Sequence, residues 1–504
     1  HLNRWTHNTG RRAEDTKNAL IVGAGRAGEA LVRDLLREAA SSYLPVAFVD
    51  DDREKIGKEI HGIPVSGSCH EIPQIVSRLS VDLIIIATPS ATSRQIRHIV
   101  EICETTGLPF RTLPELQDLV SGKASVKDLR DVKIEDLLGR EPVKLDWQAI
   151  TDATQGQIVL VSGGGGSIGS ELCRQIGRLK PGCLIIVDHS EFNLYSIEME
   201  LRRKLPELSL VTLLADVNDT VQMEKIMQTY SPSMVYHAAA YKHVPILEDQ
   251  VHAAVFNNIL GTRAMANLAD KYRCRSFVMV STDKAVNPAN VMGASKRVAE
   301  MYCQGMNAKS NTRFITVRFG NVLGSSGSVI PLFQQQISQG GPVTVTHPEI
   351  MRYFMTISEA CQLIMQAGVI GNGGEIFVLD MGEPVKISYL AEQLIRLSGK
   401  TPGEDIEIVY TGLRPGEKLF EELFHDAEKL SETSHPKILL AHCRLMDQAT
   451  LEASFNAMQQ ACEQGNDAIL RVMLADLVPE HTGLVATSHN TEKKAVVVPL
   501  KQTH

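Results

Sequence analysis

The 504-residue sequence predicts an α/β chain made of two doubly wound parallel sheets in tandem. Two observations carry that expectation. Short β-type runs alternate with helical stretches along most of the chain, the pattern of strands joined by crossover helices. Two of those runs, Ala19–Val22 and Gln157–Val161, open directly into glycine-rich turns that lead into helices. Hydrophobic residues make up 43% and charged residues 22%, enough apolar surface for packed cores and too much for global disorder.

In chain order, residues 1–15 are polar and aperiodic and read as a mobile lead-in. Regular structure is expected from Asn18-Ala-Leu-Ile-Val-Gly-Ala-Gly25. Strands at Ala19–Val22, Pro45–Val49 and Leu83–Ala87, with helices at Glu29–Glu38 and Ser93–Thr105, make a first nucleotide-binding unit over 16–138. The polar stretch Gly139–Asp146 marks a linker over 139–152. A second unit, 153–480, repeats the alternation with strands at Cys183–Val187, Ser209–Leu214, Met234–Ala238, Ser276–Val280 and Arg313–Arg318. From about Gly340 the pattern loosens into a mixed part, with strands at Glu375–Leu379 and Ile406–Tyr410 and a helical stretch through Leu451–Leu477. Residues 481–504 read as a tail. Both units are therefore expected to be Rossmann-type, the second split into a dinucleotide part (mainly 153–340) and a smaller mixed part (mainly 341–480).

Charge and composition exclude several functions. Against 51 basic residues stand 59 acidic ones, a net charge of −8, which argues against a nucleic-acid binder. Aromatics at 5% leave few stacking platforms for single strands. Apolar stretches such as Val81–Thr88 fall short of the ~20 residues of a membrane helix. The nine cysteines are odd in number and form no Cys-x-x-Cys pair, so no disulfide framework or zinc ribbon is expected, and a reducing compartment fits. The histidines lack carboxylate or thiolate partners at ligand spacing, so no metal is expected. The chain opens on His1, and its natural start is expected to lie upstream.

Two turns carry the dinucleotide signal. In the first, Gly23-Ala-Gly25-Arg-Ala-Gly28 links a strand to a helix, and Asp50-Asp-Asp52 follows the next strand where a ribose-binding carboxylate would sit. Binding and a purely scaffolding role are both open for it. In the second, Gly163, Gly166 and Gly169 follow a Gly-x-x-Gly-x-x-Gly spacing around Ser167 and Ile168. Glycine lets the backbone approach a pyrophosphate, which the helix N-terminus attracts. That spacing resembles the short-chain dehydrogenase/reductase superfamily. Asp188, ending the next strand, is placed to accept from adenosine ribose hydroxyls and favours NAD over NADP. Asp216 and Val217 would meet the adenine, and Ala238 and Ala239 complete the cofactor set.

Most of that superfamily uses Tyr-x-x-x-Lys, in which the lysine lowers the tyrosine pKa for proton transfer. None of the ten tyrosines here has a lysine four residues on. After the Phe277–Val280 run the sequence reads Ser281-Thr-Asp-Lys284, then Met292-Gly-Ala-Ser-Lys296. Met292 stands at the tyrosine position and cannot exchange a proton, while Lys296 is kept. Asp283 and Lys284 supply an alternative acid/base pair at a strand's carboxyl end.

Thr282-Asp283-Lys284, the Met292/Lys296 pair and the glycine loop resemble the bacterial UDP-N-acetylglucosamine 4,6-dehydratases of polysaccharide and glycan biosynthesis, in their long, membrane-associated, methionine-for-tyrosine group. His237-Ala-Ala-Ala-Tyr-Lys-His-Val-Pro245, Asn258-Ile-Leu-Gly-Thr262, Arg318-Phe-Gly-Asn321-Val-Leu-Gly324, Arg414-Pro-Gly-Glu-Lys418 and Leu137–Val143 match as well, so the resemblance runs from about Asn18 to about His442. Two departures are Ser162, where threonine is usual, and Gln250-Val-His-Ala, which lacks an Asn-Pro.

The resemblance implies a lyase with tightly held, recycled NAD. Hydride leaves sugar carbon 4, the ketone acidifies carbon 5, hydroxide leaves carbon 6, and the hydride returns there. It implies Asp283 as acid for the departing hydroxyl, Lys284 as base at carbon 5, Thr282 on the oxygen at carbon 4, and Lys296 on the nicotinamide ribose. Arg352, Arg414 and Lys418 are candidates for the pyrophosphate of UDP. Asn321 is a candidate for the diphosphate or sugar, Glu417 for the uridine ribose, and Lys242 and His243 for the sugar pocket. The same resemblance implies a membrane segment upstream and a place at the cytoplasmic face of the bacterial inner membrane, and a homo-oligomer is expected. A UDP-N-acetylhexosamine 4-epimerase and a non-catalytic nucleotide-sensing scaffold are the competing readings. The pair at Asp283 and Lys284 disfavours the first, because epimerisation needs no acid at carbon 6, and its retention disfavours the second.

Overall fold

Parallel strands buried on both faces read as nearly continuous apolar runs, and the strands of this protein show it. In the computed structural model, which describes residues 16–37, 42–113, 129–138, 143–423 and 429–480, strand Leu83–Ile86 is buried at every position, as are the last four residues of Lys17–Val22. The expected lead-in, the tail and the first residues of the linker lie outside the described residues. The described chain falls into two units, one within residues 1–141 and 392–405, the other within 142–391 and 406–504.

In the first unit, β1 (Lys17–Val22), β2 (Tyr43–Val49), β3 (Leu83–Ile86), β4 (Phe110–Thr112) and β5 (Arg130–Asp131) form one sheet in the order β2-β1-β3-β4-β5. All neighbours are parallel except β4 and β5. Helix α1 (Arg26–Arg37) starts three residues ahead of the expected Glu29, because the glycine turn passes straight into it. Helices α2 (Ile72–Leu79) and α3 (Ser93–Glu104) complete the crossovers, α3 opening on a capping box between Thr92 and Gln95.

The second unit opens with α4 (Trp147–Thr154), capped by Asp146 through the Ala149 amide at 2.9 Å, so the last residues of the expected linker, from Trp147 on, are helix. Then follow β6 (Ile158–Ser162), α5 (Ser167–Arg178), β7 (Cys183–Asp188), α6 (Glu191–Lys204), β8 (Leu210–Leu214), α7 (Thr220–Tyr230) and β9 (Met234–His237). After these come α8 (Gly261–Lys271), β10 (Ser276–Val280), α9 (Val291–Asn307), β11 (Arg313–Arg318), α10 (Ile357–Ile370) and β12 (Ile376–Leu379). The sheet order is β8-β7-β6-β9-β10-β11-β12-β14-β13, closed by β13 (Lys429–Glu432) and β14 (Ile438–His442). The first seven strands are parallel and the last two antiparallel. The order reverses between β6 and β9, and at such a switch point a crevice opens beyond the strands' carboxyl ends. Two apolar layers, one holding Leu160, Met279 and Tyr302 and the other Val161, Ile186 and Ile364, cover the sheet.

The expected single helical stretch through Leu451–Leu477 is two helices, α11 (Gln448–Glu463) and α12 (Asp467–Leu477). Gly465 at φ +65° ends the first, and the Asn466 side chain caps the second through the Ile469 amide. That break was legible as a Gly-Asn pair, but the helical periodicity on both sides runs through it.

A buried ion pair anchors α9 to the sheet. The Glu300 carboxylate, fully buried, accepts from Arg318 Nε at 2.8 Å and Nη2 at 2.7 Å, and from the Ser281 hydroxyl at 2.6 Å. Burial pushes the Glu300 pKa up, but Arg318, Arg297 and Ser281 more than offset it and hold it below the ordinary value. Lys296 lies one helical turn ahead of Glu300 on the same helix. Arg318→Met is expected to strand this carboxylate and destabilise the second unit by about 3–5 kcal/mol, read by urea denaturation.

Candidate active site

The switch-point crevice of the second unit is a cavity of about 950 Å³. Its floor is the β6–α5 turn. Gly163 adopts φ +67°, and a Cβ there would stand 2.6 Å from the Ala239 amide nitrogen. A Cβ on Gly169 would meet the Gly163 carbonyl oxygen at 2.0 Å. The turn therefore works only with glycine, pressed between β9 and its own helix. Helix α5 begins at Gly166 without a side-chain cap, whereas α6, α7 and α9 are capped by Ser190, Asp219 and Asn290. Its first amides are left for a ligand at the cavity, which suits a phosphate group.

Asp188 sits where β7 ends, its carboxylate accepting from the Gly165 amide at 2.8 Å and the Ser190 amide at 2.8 Å. With Gly163, Gly166, Asp216, Val217, Ala238 and Ala239 it lines a smaller pocket beside the crevice. The expected cofactor residues Ser167, Ile168 and Gly169 line the main cavity. A dinucleotide laid over these residues would put its pyrophosphate at α5, its adenosine at Asp188 and its other half toward β10.

Beyond β10 lie the proton-transfer candidates. The Thr282 hydroxyl donates to Asp283 Oδ1 at 2.9 Å. Lys284 Nζ donates to the same oxygen at 3.1 Å and to Asn321 Oδ1 at 3.2 Å. Asp283 is 2% exposed, and its Oδ2 is buried with no hydrogen-bond partner among the described residues. Burial pushes the Lys284 pKa down, but Asp283 and Glu421 more than offset it, with Arg352 opposing, so the amine is held above the ordinary lysine value. Lys296 is the opposite case: burial outweighs Glu300 and brings its pKa down to about 8. Helix α9 presses on this segment so closely that a Cβ on Gly293 would stand 2.1 Å from the Lys284 carbonyl oxygen. Met292 and Lys296, in the first turns of α9, both line the cavity.

The cavity's other wall carries the expected second-ligand residues. Lys242 donates to the Ser325 hydroxyl at 3.2 Å, and burial followed by Lys284 lowers its pKa. His243 is likewise lowered, by burial and then Lys242. Asn321, Arg352, Arg414 and Glu417 also line the cavity. Lys418 does not: its amine pairs with Glu422 at 3.0 Å, and its carbonyl accepts from Arg352. Arg352, a candidate for pyrophosphate, spends much of its guanidinium on the protein, on the carbonyls of Met351, Lys418 and Leu419 and the carboxylates of Glu417 and Glu421. It holds the 414–421 turn in place. Glu417 in turn accepts from the Thr346 hydroxyl and the Arg414 amide.

Three residues of this arrangement lie outside the motifs read from the sequence. Glu421 approaches Lys284 Nζ to 3.6 Å, Ser325 holds Lys242, and Glu300 anchors α9. The Arg414–Lys418 motif stops three residues short of Glu421. Its spacing of four from Glu417 was the available signal, but nothing local marks that segment as facing the cavity. His237 is buried between the Ser162 and Thr262 hydroxyls, and burial, then Lys296, brings its pKa down to about 3, so it stays neutral.

In the first unit, Gly23 takes φ +103° and a Cβ on Gly28 would stand 2.0 Å from the Gly23 carbonyl oxygen. Of the three aspartates after β2, Asp50 faces this turn, accepting from the Ala24 amide at 2.7 Å and from Lys55 at 3.0 Å.

The strand order, the glycine turn and the Met292/Lys296 helix define the second unit as an extended short-chain dehydrogenase/reductase fold. The chain belongs to the polysaccharide biosynthesis protein family, whose pattern matches residues 159–443. A CoA-binding domain pattern matches residues 2–114. The chain is 48% identical over 429 residues to the capsular polysaccharide biosynthesis protein CapD of Staphylococcus aureus, covering 84% of this chain and 72% of that protein. It is 49% identical over 424 residues to the probable polysaccharide biosynthesis protein EpsC of Bacillus subtilis, covering 84% and 71%. Among solved structures, that of Pen from Bacillus thuringiensis is 32% identical, with a TM-score of 0.54, over 58% of this chain and 92% of Pen.

A methyl group at residue 163 has no room beside Ala239. NAD at about 100 times its Kd should stabilise the wild-type protein by ~2.7 kcal/mol. Gly163→Ala is expected to lose that increment, read by thermal unfolding with and without NAD.

Proposed function

We propose that this chain is a nucleotide-sugar 4,6-dehydratase that acts on UDP-N-acetylglucosamine for surface polysaccharide or glycan synthesis, with NAD held throughout. One observation carries the reading: Thr282, Asp283 and Lys284 form a hydrogen-bonded relay beside a methionine, at a cavity whose floor is a dinucleotide turn. The residues fit NAD. The glycine turn lets a pyrophosphate reach the α5 amides, and the Asp188 carboxylate favours free ribose hydroxyls over a phosphorylated ribose. When bound, NAD would supply the hydride chemistry at carbons 4 and 6.

The chain's own groups move the protons. Thr282, within hydrogen-bond reach of Asp283 Oδ1, takes the proton of the carbon-4 hydroxyl and passes it to the carboxylate. Asp283 then gives that proton to the hydroxyl leaving carbon 6, which departs as water. Neutral Lys284 removes the carbon-5 proton and restores it to that carbon as the double bond is reduced. Both residues end as they began, and the O4 proton has left in the water. The unpartnered Asp283 Oδ2 fits this role, since a buried carboxyl oxygen without a partner costs about 1–3 kcal/mol until a proton or a ligand hydroxyl satisfies it. Lys296 holds the ribose on the nicotinamide side, and Lys242, Arg414 and Asn321 face the anionic substrate. Glu417 is the uridine ribose contact. Lys418, turned to Glu422, takes no direct part, and Arg352 acts chiefly by holding the 414–421 turn.

The test is incubation of the purified protein with UDP-N-acetylglucosamine, without added NAD, followed by mass spectrometry of the nucleotide sugar. Loss of one water supports the reading; an unchanged mass with altered proton NMR would instead identify an epimerase. Asp283→Asn is expected to slow water loss by about 10²–10⁴-fold, the usual worth of a general acid.

The pH dependence follows from Lys284. Its pKa is raised in the folded protein, so the neutral form needed at carbon 5 is scarce at neutral pH and grows as pH rises. Turnover should therefore climb with pH, by about tenfold per unit well below that pKa. A flat profile from pH 6 to pH 9, in initial rates of the bound-NAD enzyme, would remove Lys284 as the base.

A further inference from the structure

Lys284 has a second counter-ion that the proton relay does not use. Glu421 Oε1 lies 3.6 Å from Lys284 Nζ and 3.5 Å from Arg352 Nε, with the Glu421 side chain 7% exposed. Lys284 thus meets three oxygens, those of Asp283, Asn321 and Glu421, from three separate segments of the chain. The charged groups facing it are Asp283 on its own segment, Glu421 and Arg352 from two other segments, and Lys242, whose charge it repels. Only Glu421 of these lies on the turn that also carries the cavity-lining Arg414 and Glu417. Arg352 clamps that turn at both Glu417 and Glu421.

We propose that Glu421 is the positioning residue of this site, coupling the 414–421 turn that receives the substrate to the amine of Lys284. The proposal rests on the reading of Lys284 as the base. When Asp283 takes up the carbon-4 proton, its carboxylate no longer holds the amine electrostatically. Asn321 and Glu421 then keep Nζ in place, and Glu421 supplies the remaining negative charge for the ammonium that forms as carbon 5 is deprotonated. The same charge makes Lys284 harder to deprotonate beforehand, so Glu421 sets the pH at which the base becomes available. An opposite charge within ~4–6 Å ordinarily moves a pKa by about 1–3 units.

Two readouts test it on the full-length holoenzyme. The first is the Cε signal of Lys284 in protein labelled with ¹³C-lysine, assigned by its absence from Lys284→Met and titrated against pH. In Glu421→Gln, which keeps the shape and removes the charge, the Lys284 midpoint should fall by about one unit or more. Glu421→Asp, which keeps the charge, should stay near wild type, and Glu421→Ala is read in parallel so that the result does not hang on one variant folding. The second readout is turnover: the rising limb of the pH profile should move down with the midpoint in Glu421→Gln, with KM for UDP-N-acetylglucosamine little changed. An unchanged midpoint in both uncharged variants overturns the role of Glu421 and leaves the dehydratase reading standing. Failure of the wild-type protein to dehydrate the sugar would remove that reading, while the titration would still decide whether Glu421 governs Lys284.

Discussion

The contact between Glu300 and Arg318 is the constraint on which the rest of the site depends. A carboxylate with no solvent exposure costs several kcal/mol to bury unless its charge is met by well-placed donors. Arg318 meets it at two nitrogens, and Ser281 adds a third donor. The three residues come from α9, from the end of β11 and from the residue after β10, so one ionic cluster ties together the segments that carry Lys296, Asn321 and Thr282–Lys284. Displacement of α9 along the sheet would break that cluster, and the same helix packs so closely on the 282–284 segment that a Cβ on Gly293 would stand 2.1 Å from the Lys284 carbonyl oxygen.

Charge around the cavity is arranged in layers. Lys242, Lys284 and Lys296 point toward it, and each is moved from the ordinary lysine pKa by a different balance. Burial lowers all three, and it prevails at Lys242 and Lys296, whereas at Lys284 Asp283 and Glu421 together outweigh it. Of these three lysines, Lys284 is the one paired with acids among the described residues. Arg352 belongs to a different layer. Its five donors are spread over three carbonyls and two carboxylates, the use to which a rigid guanidinium fork is suited.

Both units repeat one local device. A glycine turn after the first strand is fastened to an aspartate at the end of the second, Gly165 to Asp188 and Ala24 to Asp50. The surroundings differ. In the second unit the aspartate is bordered by a pocket lined from β6, β7 and β9, while in the first unit Lys55 lies on the carboxylate. The same turn chemistry thus borders a pocket in one unit and a lysine ion pair in the other.

The sequence by itself determined the class of fold and the local motifs of the candidate site. Alternating apolar runs give parallel strands because both faces of such a sheet must be covered, and the runs at Ser276–Val280 and Arg313–Arg318 coincide with β10 and β11. Glycine spacing, Asp188 and the Thr282–Lys284 and Met292–Lys296 pairs were legible because each is a local pattern. Only the tertiary structure decided what those residues meet. Lys418 turns away from the cavity, Arg352 is taken up by the 414–421 turn, and Glu421 reaches Lys284 across 137 positions of sequence, numbered 284 and 421. The union of Glu300 with Arg318 is of the same kind. A side chain's partner across the fold depends on how separate elements pack, and that packing leaves no period in the sequence for a local pattern to show.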